Sequence, residues 1–156
     1  LDLAAQKVAT NPDLKTMSRD DWDARPQKLM KDWGHDLVHS FTDFDEAHTV
    51  MTGASDALNN APAILFVTIP KQTPDWAILD AGAFMQSLLL AATAKGLGSI
   101  PTYNSVRYPQ VVRQVLGIPE TERLLVGVEL GYESSAKVNA FRAQRPDLSD
   151  VLKISE

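Results

Sequence analysis

Residues 74–101, PDWAILDAGAFMQSLLLAATAKGLGSIP, constrain the fold of this chain more than any other stretch. From Trp76 to Ala94 only Asp80, Gln86, Ser87 and Thr93 interrupt an apolar run. Gln86 and Thr93 stand seven apart, as do Asp80 and Ser87, so on a helix the polar atoms form a thin seam. Pro74 and Asp75 suit the opening turn, where a proline loses no hydrogen bond and a carboxylate meets the positive end of the dipole. Lys95 suits the last turn, and Gly96 is placed for a left-handed residue just past the end. The pattern predicts one long helix over 75–95, apolar nearly all round, that must be buried in something larger. A second copy of the chain is the expected partner, because Ala77, Ala81, Gly82, Ala83, Ala91, Ala92 and Ala94 permit close helix packing. A membrane span is the rival reading, against which stand Asp80 and the alanine-rich composition.

The chain has 156 residues, which predicts a single domain over 1–156. At this length roughly 70% of the unfolded surface can be buried, enough for a sizeable core. Without cysteine there is no disulfide framework, thiolate metal site or thiol nucleophile. Residues 1–60 carry 11 acidic and 6 basic side chains, which accounts for the whole net charge of −5. That acidic part reads as a solvated helical face. No basic stripe with interleaved aromatics suggests a nucleic-acid partner. Nothing in these residues reads as a signal peptide or lipidation motif, and the expectation is a cytoplasmic protein away from membranes.

Along the chain, residues 1–10 carry a short helical pattern ending at Asn11-Pro12. In 13–33, Trp22, Leu29, Met30 and Trp33 are the expected anchors. Residues 35–58 read as helix with a break around Thr42-Asp43, and Asn59-Asn60-Ala61-Pro62 as a loop. Then the period changes. AILFVTI at 63–69, closed by Pro70, is a buried strand, and LLVGVEL at 124–130, closed by Gly131, is another. Between them, after the long helix, a second helix starts near Pro109 with Val111, Val112, Val115 and Leu116 facing inward, and stops at Gly117. Helices between buried strands predict an α/β layer fold. Two strands are too few for a sheet covering so long a helix. Further strands are expected in the N-terminal third or outside this sequence.

Three local groups could carry chemistry. His35 and His39 are spaced i and i+4, as in zinc-binding HExxH helices, but the acid between them is the shorter Asp36 and no third ligand is in evidence. Two ordinary surface imidazoles are the plainer reading. Ser99–Ser105 leaves the long helix and precedes another, a place where unpaired backbone groups favour ligands, though a connecting loop would look the same. Arg142 and Arg145, in NAFRAQRP, are three apart and could converge on one phosphate, or stand solvated in a tail. No GxGxxG, GxxxxGK[ST] or GxSxG motif is present, and Gly96-Leu97-Gly98 closes a helix rather than opening one.

Taken in order, AILFVTI with its proline, DAGAFMQSLLLAATAKGLGSIP, YPQVVRQVLGIPE, LLVGVELGYE and NAFRAQRPDLSDV resemble the FMN-dependent nitroreductase family over about residues 60–152. Each segment alone is weak, and their order and spacing make the likeness specific. The SIP loop leading to a Tyr-Pro helix start is similar to the bacterial nitrobenzoate-type nitroreductases.

The resemblance implies an α+β subunit, a three-layer α-β-α sandwich with a central mixed sheet, forming a homodimer around helix 75–95 with FMN at the interface. It implies ping-pong, two-electron chemistry in which NAD(P)H reduces the flavin and a nitroaromatic, quinone or related acceptor is then reduced. The cofactor carries that chemistry, so no catalytic acid or base is expected. Pro101, Thr102 and Tyr103 are expected beside the flavin ring, mostly through backbone atoms, with Ile100 packed near it. Arg145 with Arg142 is expected to hold the FMN phosphate. Trp33, Phe41 and Phe44 are named as pocket walls. No metal is implied.

One departure stands out. Family members ordinarily open with an Arg-rich RRSVR-type segment that binds the FMN phosphate and ribityl chain, then a Pro-Ser-x-x-Asn-x-Gln-Pro-Trp segment. Neither occurs in these 156 residues. The expectation is a nitroreductase lacking its N-terminal part, or a piece of a longer chain, with the lost strand accounting for the short count. Two other readings remain: a flavin-free dimerisation remnant of the same fold, and a zinc hydrolase built on His35 and His39.

Overall fold

The computed structural model describes residue 6 and residues 8–155; most of the expected helical pattern at 1–10 lies outside the described residues. The chain groups into two compact units. One comprises residues up to Thr16 with Thr52–Glu133, the other Met17–Met51 with Ser134 onward.

The first unit is built on three strands, β1 (Ala63–Pro70), β2 (Gly98–Thr102) and β3 (Glu122–Gly131), in the order β1-β3-β2. β3 pairs antiparallel with both neighbours. The fold is therefore α+β, but the expected mixed sheet is antiparallel throughout among the described residues. β1 and β2 do run in the same direction, linked by a helix, yet β3 lies between them, so no parallel pair forms. β1 and β3 are apolar runs closed by Pro70 and Gly131, as their composition predicts. The third strand is not in the N-terminal third. It is Gly98–Thr102, which reads as turn and loop in the sequence.

The long helix forms as predicted, over Trp76–Ala94 (α3). Gly96 takes φ 73°, and the amides of Gly96 and Leu97 donate to the carbonyls of Thr93 and Ala92. This is the two-bond closure that a left-handed glycine makes available. One side of α3 covers the sheet, where Val67, Ile69 and Leu125 form a core with Ala77, Ile78 and Ala81 against them. Leu125 is the extra residue of a bulge opposite Val67 and Thr68.

The rest of α3 is not buried within this chain. Trp76 is 72% exposed, and Leu79, Phe84 and Leu90 are exposed with it. Among the described residues α3 is the one helix long and apolar enough to cross a membrane by length and composition. An open groove of about 500 Å³ runs between β1 and α3, lined by Phe66, Thr68, Ile69, Asp80, Ala81 and Phe84.

The helix α4 (Pro109–Leu116) opens on its proline and stops at Gly117, φ 68°, as expected. Its orientation differs from the apolar reading. Val115 is 74% exposed and Leu116 is exposed too, while Arg113 is buried. The cause lies a hundred residues away. Arg113 forms an ion pair through Nη2 with Asp13, and the same nitrogen donates to the Glu122 carbonyl at 2.7 Å. Asp13 also accepts the Leu124 amide at 2.7 Å. The amide of Asn11 donates to the Arg107 carbonyl at 3.2 Å, so residues 11–13 strap α4 to β3.

The second unit holds α1 (Ala24–Val38) and the first part of α2 (Phe44–Asp56), whose residues from Thr52 on belong to the first unit. The two helices are separated at 39–43, where the sequence predicts a break around Thr42-Asp43. A reciprocal cap starts α2. The Glu46 amide donates to Asp43 Oδ1 at 2.8 Å, and the Thr42 amide to Glu46 Oε2 at 2.6 Å. Of the expected anchors, Leu29 and Trp33 are exposed and Leu37 is buried instead. Trp33 makes an edge contact with Phe141, centroids 6.2 Å apart. The short helix α5 (Leu148–Val151) follows.

Candidate functional site

The segment Ile100–Tyr103 ends β2 and begins the 3-10 turn Asn104–Val106. Pairing is one-sided here. Among the described residues β2 meets only β3 in this sheet, with Ile100 opposite Glu129, Pro101 opposite Val128 and Thr102 opposite Gly127. Pro101 has no amide to offer a ladder, and an edge strand is where a proline is tolerated. The outer edge of β2 consequently presents backbone groups unpaired within the sheet, beside exposed Ile100 and Tyr103 side chains at 48% and 43%.

What holds this segment is a polar cluster beneath it. Thr102 Oγ1 lies 2.9 Å from Glu129 Oε1 and 2.9 Å from Ser105 Oγ. Ser105 Oγ in turn donates to the Thr102 carbonyl at 2.9 Å. Asn59 Nδ2 donates to Glu129 Oε2 at 2.7 Å. Glu129 is 2% exposed and Ser105 9%. Next door, Asn104 donates to the Ser55 carbonyl and hydroxyl at 2.7 and 2.9 Å, and its own oxygen accepts from Arg107. Every side chain of the 102–105 stretch except Tyr103 is thus tied down, and Tyr103 is left facing out.

Asn104 and Ser105 fall within the stretch Ser99–Ser105 picked out in the sequence, whereas Glu129 and Asn59 escape the sequence reading as site residues. The one signal was an acid inside an otherwise apolar strand, LLVGVELG. Asn59 carries a second, conformational signal: Leu58, Asn59 and Asn60 take φ of 50°, 51° and 51°. Asparagine tolerates that left-handed region, whereas a leucine there is strained.

The two arginines belong to the second unit, in the irregular segment after the 3-10 turn Lys137–Ala140. Both are exposed. Arg142 Nη1 donates to the carbonyls of Asn139 and Phe141 at 2.6 and 2.9 Å, which fixes its guanidinium close to the backbone. Arg145 lies three residues further on. The structure therefore brings Ile100, Pro101, Thr102 and Tyr103 together in one unit and places Arg142 and Arg145 in the other. Of the named pocket walls, all in the second unit, Phe44 and Trp33 are exposed and Phe41 is half-buried.

His35 and His39 do face each other, ring centroids 4.7 Å apart. His39 Nδ1 is taken up by the His35 carbonyl at 2.9 Å. Among the described residues no three metal-ligating side chains converge, so the hydrolase reading lacks its third ligand.

Among the described residues two carboxyl groups depart from their ordinary range. Burial pushes Asp13 upward, but the Arg113 hydrogen bond, the Leu124 amide and the charges of Arg113 and Lys71 outweigh it and hold Asp13 below the usual value. The Thr42 amide does the same for the exposed Glu46.

Known proteins give the geometry a context. A family model described as the nitroreductase family matches residues 3–132. A 4-nitrobenzoate reductase from Pseudomonas putida is 27% identical over 131 residues, covering 81% of this chain and 57% of that protein. The nitroreductase NfnB of Mycolicibacterium smegmatis is 35% identical over 96 residues, covering 61% of this chain and 41% of that protein. The chain thus spans roughly half the length of these relatives. In structure it is similar to the FMN-dependent nitroreductase NfnB from Mycobacterium smegmatis in complex with NADPH. That likeness has a TM-score of 0.86 at 26% identity, covering 99% of this chain and 70% of that one.

Proposed function

The chain belongs to the nitroreductase family, and we propose that it acts as an FMN-dependent NAD(P)H oxidoreductase on nitroaromatics, quinones or related acceptors. The observation that carries this reading is the edge of β2. Ile100–Tyr103 is a segment anchored by Thr102's hydrogen bonds, with backbone groups unpaired within the sheet on one side and two exposed side chains, one of them aromatic. A planar, hydrogen-bonding ring fits such an edge: backbone donors and acceptors meet its heteroatoms while Ile100 and Tyr103 cover its apolar area. The likeness to a protein crystallised with NADPH and described as FMN-dependent supports the same assignment.

The chemistry that FMN supplies when bound is two-electron, ping-pong exchange between NAD(P)H and the acceptor. The chain's own part is to bind, orient and exclude water. Thr102 and Ser105 lock the segment's shape, Tyr103 and Ile100 limit solvent, and Arg145 with Arg142 offers guanidinium forks to the phosphate. No proton-transferring side chain is assigned.

Residues 1–156 make up one nitroreductase-like domain in this reading, part of a cytoplasmic homodimer. The exposed apolar side of α3 and the groove beside it call for a covering, and a second α3 supplies one of matching length and composition. The test is spectroscopic: titration with FMN, then NADPH consumption in the presence of 4-nitrobenzoate. A flavin spectrum with acceptor-dependent NADPH oxidation supports the assignment. A colourless dimer that stays inert would favour the flavin-free remnant.

A further inference from the structure

The carboxyl group beneath Ile100–Tyr103 has no part in the chemistry above, yet its position is unusual. Glu129 is 2% exposed in the middle of an apolar strand, where leucine or valine would be cheaper to bury. Both of its oxygens are used, and neither partner is a cation: Oε1 meets Thr102 at 2.9 Å and Oε2 meets Asn59 at 2.7 Å. These partners come from separate stretches. Thr102 is the last residue of β2, while Asn59 is the centre of three successive left-handed residues just before β1. In register Glu129 lies opposite Ile100 and Ile64, and Thr102 opposite Gly127. Glu129 therefore reaches diagonally across one face of the sheet to tie its two sides together.

We propose that Glu129 is a positioning residue that clamps Thr102 to the Leu58–Asn60 turn and thereby fixes the backbone of Ile100–Tyr103 for flavin binding. The proposal rests on the flavin reading given above. Its chemistry distinguishes a glutamine from a leucine at this place. A glutamine oxygen can accept from Asn59 while its amide donates to Thr102 Oγ1, whose own proton then reaches Ser105 Oγ. A leucine fills the space and makes neither bond. The clamp therefore survives Glu129→Gln and is lost in Glu129→Leu.

The experiment measures the FMN dissociation constant for the wild type, Glu129→Leu, Glu129→Gln, Thr102→Val and the Leu/Val double variant. Glu129→Leu and Thr102→Val should each weaken binding roughly tenfold, the size of one lost hydrogen bond. The double variant should be no worse than about threefold beyond the weaker single, since both remove one contact. Glu129→Gln should stay near the wild type. A Leu variant with wild-type affinity, a Gln variant as weak as Leu, or full additivity would overturn the clamp. Amide hydrogen exchange over residues 99–105 without FMN reads the clamp independently, with faster exchange expected in the Leu and Val variants alone. If the wild type takes up no FMN, the flavin reading fails. Unchanged exchange in Thr102→Val, which remains informative if Glu129→Leu does not fold, would then overturn the clamp by itself.

Discussion

A Cβ on Gly127 would stand 2.2 Å from Ser105 Oγ. Ser105 therefore rests on bare backbone of β3, and its hydroxyl reaches Thr102 only because that backbone carries no side chain. Gly127→Ala must push Ser105 away, and with it the end of β2. The expected cost is about 1–3 kcal/mol of stability, as for other overpacked sites, read from denaturant unfolding, with weaker FMN binding alongside. An alanine variant of unchanged stability would mean the turn yields freely.

Asp13 and Arg113 make stability depend on acid. The folded-state pKa of Asp13 is lowered, so the unfolded chain binds the proton more readily. Its contribution is present above the unfolded value of about 3.9 and is lost as pH falls through the folded one. Asp13→Asn removes the carboxylate that hydrogen-bonds Arg113, leaving it the exposed Glu120 at 3.7 Å and the Glu122 carbonyl, and should cost roughly 1.5–3 kcal/mol at neutral pH. Urea midpoints from pH 7 to pH 3 should fall less steeply in that variant than in the wild type. Parallel curves would remove Asp13 from the acid response.

The cap of α2 is a smaller, local case. Asp43→Ala removes the acceptor of the Glu46 amide and should cost about 1 kcal/mol. Thermal unfolding followed by far-ultraviolet circular dichroism checks it, and an unaltered midpoint would count against the cap.

With Arg145 in the proposed role of donor to the FMN phosphate, Arg145→Ala should weaken FMN binding by about 1.5–3 kcal/mol. Arg142→Ala should do less, because that guanidinium is already engaged with the Asn139 and Phe141 carbonyls. Flavin fluorescence titration ranks the two. Equal affinities for Arg145→Ala and the wild type would take Arg145 out of the site.

The dimer prediction concerns α3. Leu79→Asp with Leu90→Asp places charges on its exposed apolar side, where Leu79 and Leu90 are both exposed within one chain. Self-association should weaken more than about a hundredfold, as for paired interface hot spots. Sedimentation velocity would then give a monomer where the wild type is a dimer. A dimer in both would place the interface elsewhere.

Local pattern was enough for some of this architecture. β1 and β3 are apolar runs with Pro70 and Gly131 at their ends, and α3 and α4 carry Gly96 and Gly117 where a left-handed closing residue belongs. β2 was hidden because Gly98-Ser99-Ile100-Pro101-Thr102 has a glycine, a proline and no alternation. Only its pairing with β3 makes it a strand. Arg113 was hidden because its partner Asp13 is a hundred residues distant, so apolar periodicity placed Val115 and Leu116 inward instead. The sequence picked out Ser99–Ser105 as a place where unpaired backbone groups favour ligands, but not the Glu129 cluster that holds Ile100–Tyr103. Nothing in a single acid within LLVGVELG says which side chains it will meet.

The central claim is that this chain holds a flavin that passes electrons from NADPH to a nitroaromatic. Its most direct test is anaerobic: the purified protein is loaded with FMN, mixed with NADPH, and then given 4-nitrobenzoate while the visible spectrum is recorded. The account predicts bleaching of the flavin band by NADPH alone and its return when the nitroaromatic is added. A bound flavin that NADPH does not bleach, or that stays bleached with the nitroaromatic present, would contradict it.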